Sequence, residues 1–577
     1  MDVFSETGQK LSEKERELVT RAYSLFDEFS TGNRAYHDEV KVSRKIALLQ
    51  DPEQDAGLEE DDAPTPQLHT LRSTLVNCVA DQMDNTPTAV IRPERPDTQA
   101  LAEDLTDIVG RVLYINNSQQ LHRQRVEDLF VTGTSVTQVV WDDDMLCGKG
   151  DIALIRVPIE NMQFDPNASD IQDSRAVFRF YWYPHKWYEE HYPDEAEYVH
   201  ADKYKEDGAQ HITSDEGIMM LEYWYREYDA KTRRYSVHVA YLAGGALLYD
   251  SKKHLKRGVY EHGLYPFVVD VYTEVVGKLY GHGMIVEFAP MQRAINRYAR
   301  YIDENARASA KMRLLVNTAA GLNEDDLADW TKQIIKGTSI GDNAVRWFQT
   351  APLSPNINAQ MANFIDLIKQ DSGQNQFSRG ESGGGITAAS AILALQEAGG
   401  KTTRLRTEIL KYGSEQIFTQ ILWLIRQKYS DGRVLMVTGK DEEDRAVTIN
   451  RKEMFGGEIA MPYAVRVQVQ KRNPLHVQAE NENLLNMFNV LVQGGVQVDP
   501  MMMLELLQLD GKDRLLAAMR KAQAPQMAAM TEQAAQMQQA MTVQQDEINK
   551  LRSALDASAD QLATTQAQQS AVNPTVA

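Results

Sequence analysis

Apolar positions recur at two spacings along this chain, and the places where one spacing gives way to the other set its organisation. Residues 1–50 are charged but helix-compatible, and helical patterning returns near 68–83 and 98–132. Between 133 and 275 the text changes to short β-rich runs separated by turns: SVTQVVWDDD, DIALIRVP, AVFRFYWYP and RRYSVHVAYLAGGALLYD. These predict a mixed, mostly antiparallel α+β region. From Gly281 the period lengthens, with Phe288, Met291, Ile295, Tyr298, Ile302 and Ala306 stepping by three or four along one helical face.

A turn-rich insert follows, and Ser354 with Pro355 supplies an N-cap and a first-turn proline for a second helix striped by Ile357, Met361, Phe364, Ile365 and Ile368. That helix gives way to GQNQFSRGESGGGIT at 373–387, whose glycines and serines predict a mobile loop. Helical patterning resumes at about Ala388 and runs to about Tyr429, with Leu410, Ile417, Ile421 and Leu424 in its later stripe and a possible interruption at Gly399 and Gly400. Two β-like runs, RVLMVTG and IAMPYAVRVQVQ, precede short helices from Pro474, broken at Gly494, Gly495 and Gly511. In the Gln-, Ala- and Met-rich tail, Ala534, Met541, Ile548, Leu555 and Leu562 recur every seven residues, predicting a weak heptad helix.

Charge alters this picture in two places. In DPEQDAGLEEDDAPTP, Asp51, Glu53, Asp55, Glu59, Glu60, Asp61 and Asp62 have no local countercharge, which predicts an exposed loop. Arg293, Arg297, Arg300 and Arg307 step along the helix that begins near Gly281. Residue 295 lies about 200° round from residue 293, so the arginines take the face opposite the apolar stripe. The chain as a whole carries −21, which argues against a dedicated DNA-wrapping protein but not against a conduit past which DNA slides.

Cys78 and Cys147 are the only cysteines; a disulfide framework, a structural zinc site and a cofactor are not expected, and a reducing cytosol fits. The polar amino terminus and the lack of about 18 consecutive apolar residues predict neither a signal peptide nor a membrane anchor.

Three motifs suggest chemistry and are discounted on context. Gly400, Lys401 and Thr402 end like a phosphate-binding loop, but Leu395 stands where its first glycine belongs and the flanks are helical. Gly380, Glu381, Ser382, Gly383 and Gly384 match a nucleophile elbow, yet a helix and a glycine loop precede them, where a strand is required. His185, Glu189, Glu190 and His191 have no standard metal-ligand spacing. The alternatives that these residues and the heptads leave open are a serine hydrolase built on Ser382 and a coiled-coil scaffold or adaptor.

Several segments, taken in order, carry a resemblance. VEDLFVTGTSVTQVVWDDD is followed by an apolar strand and then by VPIENMQFDPNASDIQDSRAVFRFYWYP, where Phe164, Asp165, Pro166, Ala168, Asp173 and Ser174 form a characteristic loop. Then come GKLYGHGMIVEFAPMQRAINRYARYIDENARAS, with a turn at Tyr280, Gly281 and Gly283, and GESGGGITAASAILALQEAGGKTTR. Over about residues 20–525 this order resembles the portal proteins of tailed bacteriophages.

The resemblance implies a multi-domain α+β portal fold. Residues 1–280 and 388–470 would form the wing, 281–310 and 356–373 the two stem helices, and 311–355 the clip. Residues 374–387 would be the tunnel loop, 471–525 the helical crown, and 526–577 a helical, partly disordered tail. It implies no catalytic role. The expected assembly is a homo-oligomeric ring, typically a dodecamer, at one capsid vertex of the virion, put together in the host cytoplasm. Double-stranded DNA would pass through it transiently during packaging and ejection. The terminase large subunit and later head–tail adaptor or tail proteins would dock on the clip, with major capsid and scaffolding proteins around the ring. On this reading Gln374, Asn375, Gln376, Ser378 and Arg379 face the DNA, the four arginines line the stem, and Trp330, Trp347 and Phe348 anchor partners at the clip.

Overall fold

The computed structural model describes residues 9–51, 66–95, 98–200, 217–231, 233–310, 313–329, 331–348, 352–374, 401–438, 444–456, 461–471 and 474–493, with isolated positions at 504, 506, 507, 519 and 550. It is a mixed α+β protein. Contacts divide it into two compact units, one of residues 1–437 with 446–476 and the other of 438–445 with 477–577. In the second unit the described part is chiefly the body of a helix spanning Pro474–Gln493. The features that bear on function lie in the first.

A 35-residue helix, α1 (Glu13–Ala47), opens the first unit; Ser12 and Glu15 close a reciprocal capping box at its start. Its buried residues include Val19, Ala22, Tyr23, Phe26 and Phe29, which lie against an antiparallel sheet. That sheet has the order β4 (Met162–Phe164), β5 (Ala176–Pro184), β6 (Gly217–Asp229), β7 (Arg234–Ala243) and β8 (Ala246–Asp250). Phe178, Leu221 and Tyr223 pack beneath α1, while Ile218 and Met220 alternate to the other face and meet Tyr188 and Val199. Burial on both faces explains why β5 and β6 are apolar nearly throughout instead of alternating.

Helix α2 (Thr70–Met83) leads to β1 (Asn85–Pro93), which pairs antiparallel with β14 (Tyr463–Lys471) across nearly four hundred residues. β1 has no counterpart in the hydropathy pattern, because Pro87 and Pro93 interrupt it; prolines are tolerated at the margin of a two-stranded pair. The helical stretch 98–132 is two helices, α3 (Gln99–Ile115) and α4 (Ser118–Thr132), separated where Asn117 adopts φ 49°. Asparagine is among the few residues that take this left-handed conformation readily.

The three-stranded sheet β3 (Asp151–Val157), β2 (Thr134–Asp142) and β9 (Phe267–Val271) is antiparallel and carries helix α8 (Lys401–Lys428), whose Ile417, Phe418, Ile421 and Ile425 enter the main core. Where α4, β2, β9 and α8 meet, a buried pair binds them. Arg125 Nη2 donates to Asp270 Oδ1 at 2.7 Å and Arg125 Nε to Asp270 Oδ2. Arg125 also reaches Ser414 Oγ at 2.8 Å and the Leu410 carbonyl at 3.1 Å, and Ser135 donates to Asp270 at 3.1 Å. Gly413 lies against this pair so closely that a Cβ there would collide with both side chains.

The mostly antiparallel α+β region expected over 133–275 is present. Gly281 and His282 are not helical but form β11 (Gly281–His282), paired with β10 (Thr273–Glu274), and the following helix starts at Met284. Asp51 departs from the expectation of an exposed, uncompensated carboxylate: its partner is Arg293, at 2.7 Å, from a distant part of the sequence. Residues 388–400, the interruption at Gly399 and Gly400, the breaks at Gly494, Gly495 and Gly511 and the tail heptads lie outside the described residues.

Removing Arg125 would leave Asp270 charged and buried, so Arg125→Met is expected to cost about 3–5 kcal/mol. Chemical denaturation should show the loss. The double variant Arg125→Met, Asp270→Leu should recover part of it, because the penalty belongs to the orphaned charge and not to the space the pair fills. Gly413→Ala should be destabilising through the collision alone.

Candidate functional site: a helical hairpin and the clamp at its base

The two helices expected to pack as a pair do so. Helix α6 (Met284–Ala310) lies against helix α7 (Pro355–Asp371), with Met291, Ile295, Met361, Phe364, Ile365 and Ile368 in one apolar cluster. The rings of Tyr298 and Phe364 are nearly parallel at 6.1 Å. α2 adds Leu71, Leu75 and Cys78 at the hairpin's base. Polar side chains fasten the same level: Gln292 accepts from Leu71 N at 2.8 Å and donates to the Leu68 carbonyl at 2.6 Å, and Asn296 accepts from Leu68 N at 3.1 Å. Further out, Tyr301 and the residues from Ala306 to Ala310 are exposed.

The arginine face is less uniformly open than its spacing suggests. Arg293 is engaged with Asp51 through two bonds, at 2.7 and 3.0 Å. Arg307 pairs with Asp303 at 2.7 Å and Arg300 with Glu304 at 3.5 Å, each one helical turn apart. Arg297 is exposed and has no ion-pair partner among the described residues.

The segment between the helices contains an antiparallel pair, β12 (Arg313–Val316) with β13 (Val345–Phe348), in which Leu314 lies opposite Trp347. Asn317 and Asn323 cap the turns that follow β12, each accepting a backbone N–H two residues on. Trp347 is 51% exposed, and Leu315, Ile334 and Ile340 are exposed as well. Exposed apolar side chains are thus concentrated in this short segment. Trp330 lies outside the described residues, and of Phe348 only the backbone is described.

α7 keeps Ser354 and Pro355 at its start, although the Ser354 side chain makes no capping bond. Its end is ordered. Gly373, at φ 81°, donates its N–H to the Gln370 carbonyl at 3.0 Å, and Gln374 N reaches Lys369 O at 2.9 Å, the paired bonds of a Schellman motif. Gln374 is therefore not a free loop residue: it is buried, and its amide donates to Asp81 Oδ2 at 2.8 Å. Its side-chain nitrogen is taken up within the fold. Asn375, Gln376, Ser378 and Arg379 lie outside the described residues, as does the Gly380–Gly384 motif with Ser382.

What sequence reasoning missed is the clamp that holds the chain on either side of 375–400. Arg406, on the first turns of α8, is buried and donates to Cys78 Sγ at 3.3 Å, to Tyr272 OH at 3.0 Å and to the Ser372 carbonyl at 3.1 Å. Its guanidinium stacks over Phe130 at 5.2 Å. No carboxylate bonds to it; the carbonyl end of α7, with its partial negative charge, is its anionic neighbour. Beside it, α2 grips both chain ends. Asp81 holds Gln374, while Gln82 donates to the Thr403 carbonyl at 3.2 Å and accepts from Thr407 at 3.1 Å. Burial pushes the Cys78 thiol up, against the opposing pull of Arg406, and pushes the Asp81 carboxyl up as well. Nothing in KTTRLRTEIL singles out Arg406, since one arginine on a helix with a charged face carries no periodic signal.

The remaining chemical candidates are not gathered into a site. Lys401 and Thr402 open α8, and Thr402 packs on Gly373. His185 pairs with Glu189 at 3.2 Å, and His191 stacks on Trp187 at 4.2 Å. Among the described residues no group of His, Cys, Asp or Glu is arranged to hold a metal ion, and no helix is long and apolar enough to cross a membrane.

Cys78 is buried and Cys147 exposed, so a maleimide should modify Cys147 and spare Cys78 in the folded protein. Arg406→Met leaves the Ser372 carbonyl and Tyr272 hydroxyl without their donor, a loss of about 1–3 kcal/mol in local stability. Cys78 labelling should then accelerate about 5- to 150-fold, if opening precedes modification. An unchanged rate would mean that Arg406 does not hold this corner closed.

A family model described as phage P22-like portal protein matches residues 50–571. No curated protein matches the chain.

Proposed function

The chain belongs to the phage P22-like portal protein family, a structural family of the phage capsid and not a catalytic one, and on that premise we propose how its parts divide the work. The protein is one subunit of a ring at a single capsid vertex, through which double-stranded DNA is packaged and later ejected. One observation carries this reading: a two-helix hairpin is rooted in a large α+β body, and its far end, with the segment beyond it, leaves apolar residues exposed among the described residues.

In this arrangement α6 and α7 are the stem, residues 311–355 the clip, and the body formed by the two larger sheets with α1–α4 and α8 the wing. A ring interface of head-to-tail type needs complementary faces on the two sides of each subunit. The outer part of the α6 stripe, Ile302 and Ala306, is available for it. Trp347, half exposed on the β12–β13 pair, serves the docking of the terminase large subunit, and then of the head–tail adaptor, at the clip. The tunnel loop begins after Gln374, not at it, since that residue is part of the clamp. Twelve copies at −21 each would surround the DNA with a mostly repulsive field, which suits passage without grip.

Native mass measurement or negative-stain imaging of the purified protein should show a ring of about a dozen subunits with a central hole. A stable monomer would overturn the proposal. Deleting residues 377–385 should leave rings intact and reduce DNA packaging or retention, whereas Ser382→Ala alone should leave both unchanged. An esterase activity abolished by Ser382→Ala would favour the hydrolase alternative.

A further inference from the structure

A basic strip lies at one end of the five-stranded sheet, apart from the hairpin and its clamp. Between residues 226 and 257 eight arginines and lysines stand against three carboxylates, in a chain whose net charge is −21. The fold sets the two halves of this window side by side. β6 turns after Asp229 into β7 at Arg234. The chain after β8, a short helix α5 (Ser251–His254) and the residues to Gly258, returns along the start of β7. Val259 N donates to the Val237 carbonyl at 2.8 Å, Val239 N to Ser251 Oγ at 2.8 Å, and Lys252 Nζ reaches Glu227 at 2.5 Å.

Lys231, Arg233 and Arg234 from the turn thus share one exposed surface with Lys252, Lys253, Lys256 and Arg257. Two of these are compensated: Lys252 by Glu227, and Lys253 by Glu15 of α1 at 2.5 Å. Asp229 is occupied in the turn, accepting Lys231 N at 2.9 Å, and Glu261 is exposed close by. Lys231, Arg233, Arg234, Lys256 and Arg257 make no ion pair among the described residues. Tyr228 and Tyr235, 57% and 55% exposed, flank them with ring centroids 5.1 Å apart.

The composition of the strip selects its partner. Lysine is depleted from the cores of protein–protein interfaces, which are built on apolar anchors, and here Leu255 is the one exposed aliphatic side chain between residues 251 and 258. Long, unpaired cations beside exposed aromatic rings suit a backbone of regularly spaced phosphates, to which they contribute affinity without sequence preference. We propose that this strip is a second contact surface for double-stranded DNA, on the wing and outside the channel path. The choice of DNA as the polyanion rests on the portal reading. The electrostatic match does not.

The test is binding of a labelled DNA duplex to the full-length assembled protein, followed by fluorescence anisotropy over a salt titration. Four exposed positions are changed together: Lys231→Gln, Arg234→Gln, Lys256→Gln and Arg257→Gln. The slope of log affinity against log salt should fall in magnitude by about 3–4, at about 0.9 for each phosphate no longer neutralised. Lys149→Gln with Lys186→Gln, exposed positions outside the strip and the hairpin, should leave that slope unchanged. Ring mass and melting temperature, measured on the same samples, exclude a folding defect. An unchanged slope and affinity in the quadruple variant would overturn the proposal. So would displacement of the duplex by poly-glutamate at equal charge concentration, which would assign the strip to an acidic protein. A wild-type chain that binds DNA through the strip but forms no ring would sink the channel reading and leave this one standing.

Discussion

The structure depends on one buried charge pair. Arg125 and Asp270 come from α4 and β9, and the groups that complete their hydrogen bonding, Ser135, Leu410 and Ser414, come from β2 and α8. A buried ion pair is weak evidence of net stabilisation, because desolvation offsets much of the attraction. Its value here is geometric. The bidentate fork joins α4 to β9, the further bonds from Arg125 to Ser414 and the Leu410 carbonyl seat α8 over the three-stranded sheet, and Gly413 is the point at which the helix backbone approaches the pair closely. Since α8 also carries Arg406 a turn before Leu410, the same fork sets the height of the clamp on which α7 ends.

How much of this was legible follows from what kind of signal each element leaves. The two hairpin helices were plain, because Phe288, Met291, Ile295 and Tyr298 on one and Met361, Phe364 and Ile368 on the other bury one face against a partner and repeat at the helical period. The sheet-rich region was plain from its short β-rich runs bounded by turns, although β5 and β6, buried on both faces, do not alternate. β1 was hidden by its prolines, and its pairing with β14 could not be foreseen, since no local pattern encodes a partner nearly four hundred residues away. The arginine stripe was visible as a stripe, but its charges are not equivalent: Arg293 is matched by Asp51 across the fold, a pairing that neither neighbourhood announces.

The loop shows the opposite error. Glycine and serine content placed its start at Gly373, whereas the chain spends that glycine on closing α7 and tucks Gln374 into the body. A glycine after a helix is as well explained by a C-cap as by flexibility, and the two readings differ by whether the next residue has somewhere to go. Gln374 does. Its partner, Asp81, lies on α2, and composition carries no information about that neighbour.

Close backbone packing anchors the hairpin at its root. Gly133 ends α4 at φ 79°, and Gly281 and Gly283 lie just before α6; a Cβ on Gly283 would sit 2.7 Å from the Val131 carbonyl and 2.8 Å from that of Phe130. Three glycines let two segments of main chain touch where side chains would hold them apart. Around that contact the root is fastened by Gln292, Asn296 and the buried faces of Met284, Ile285 and Phe288. From Tyr301 outward comparable fastening is absent among the described residues of the chain. Among the described residues, the buried contacts of the hairpin are therefore concentrated at its base. The glycine contacts set where the hairpin leaves the body, and the exposed residues from Ala306 to Ala310 lie at its other end.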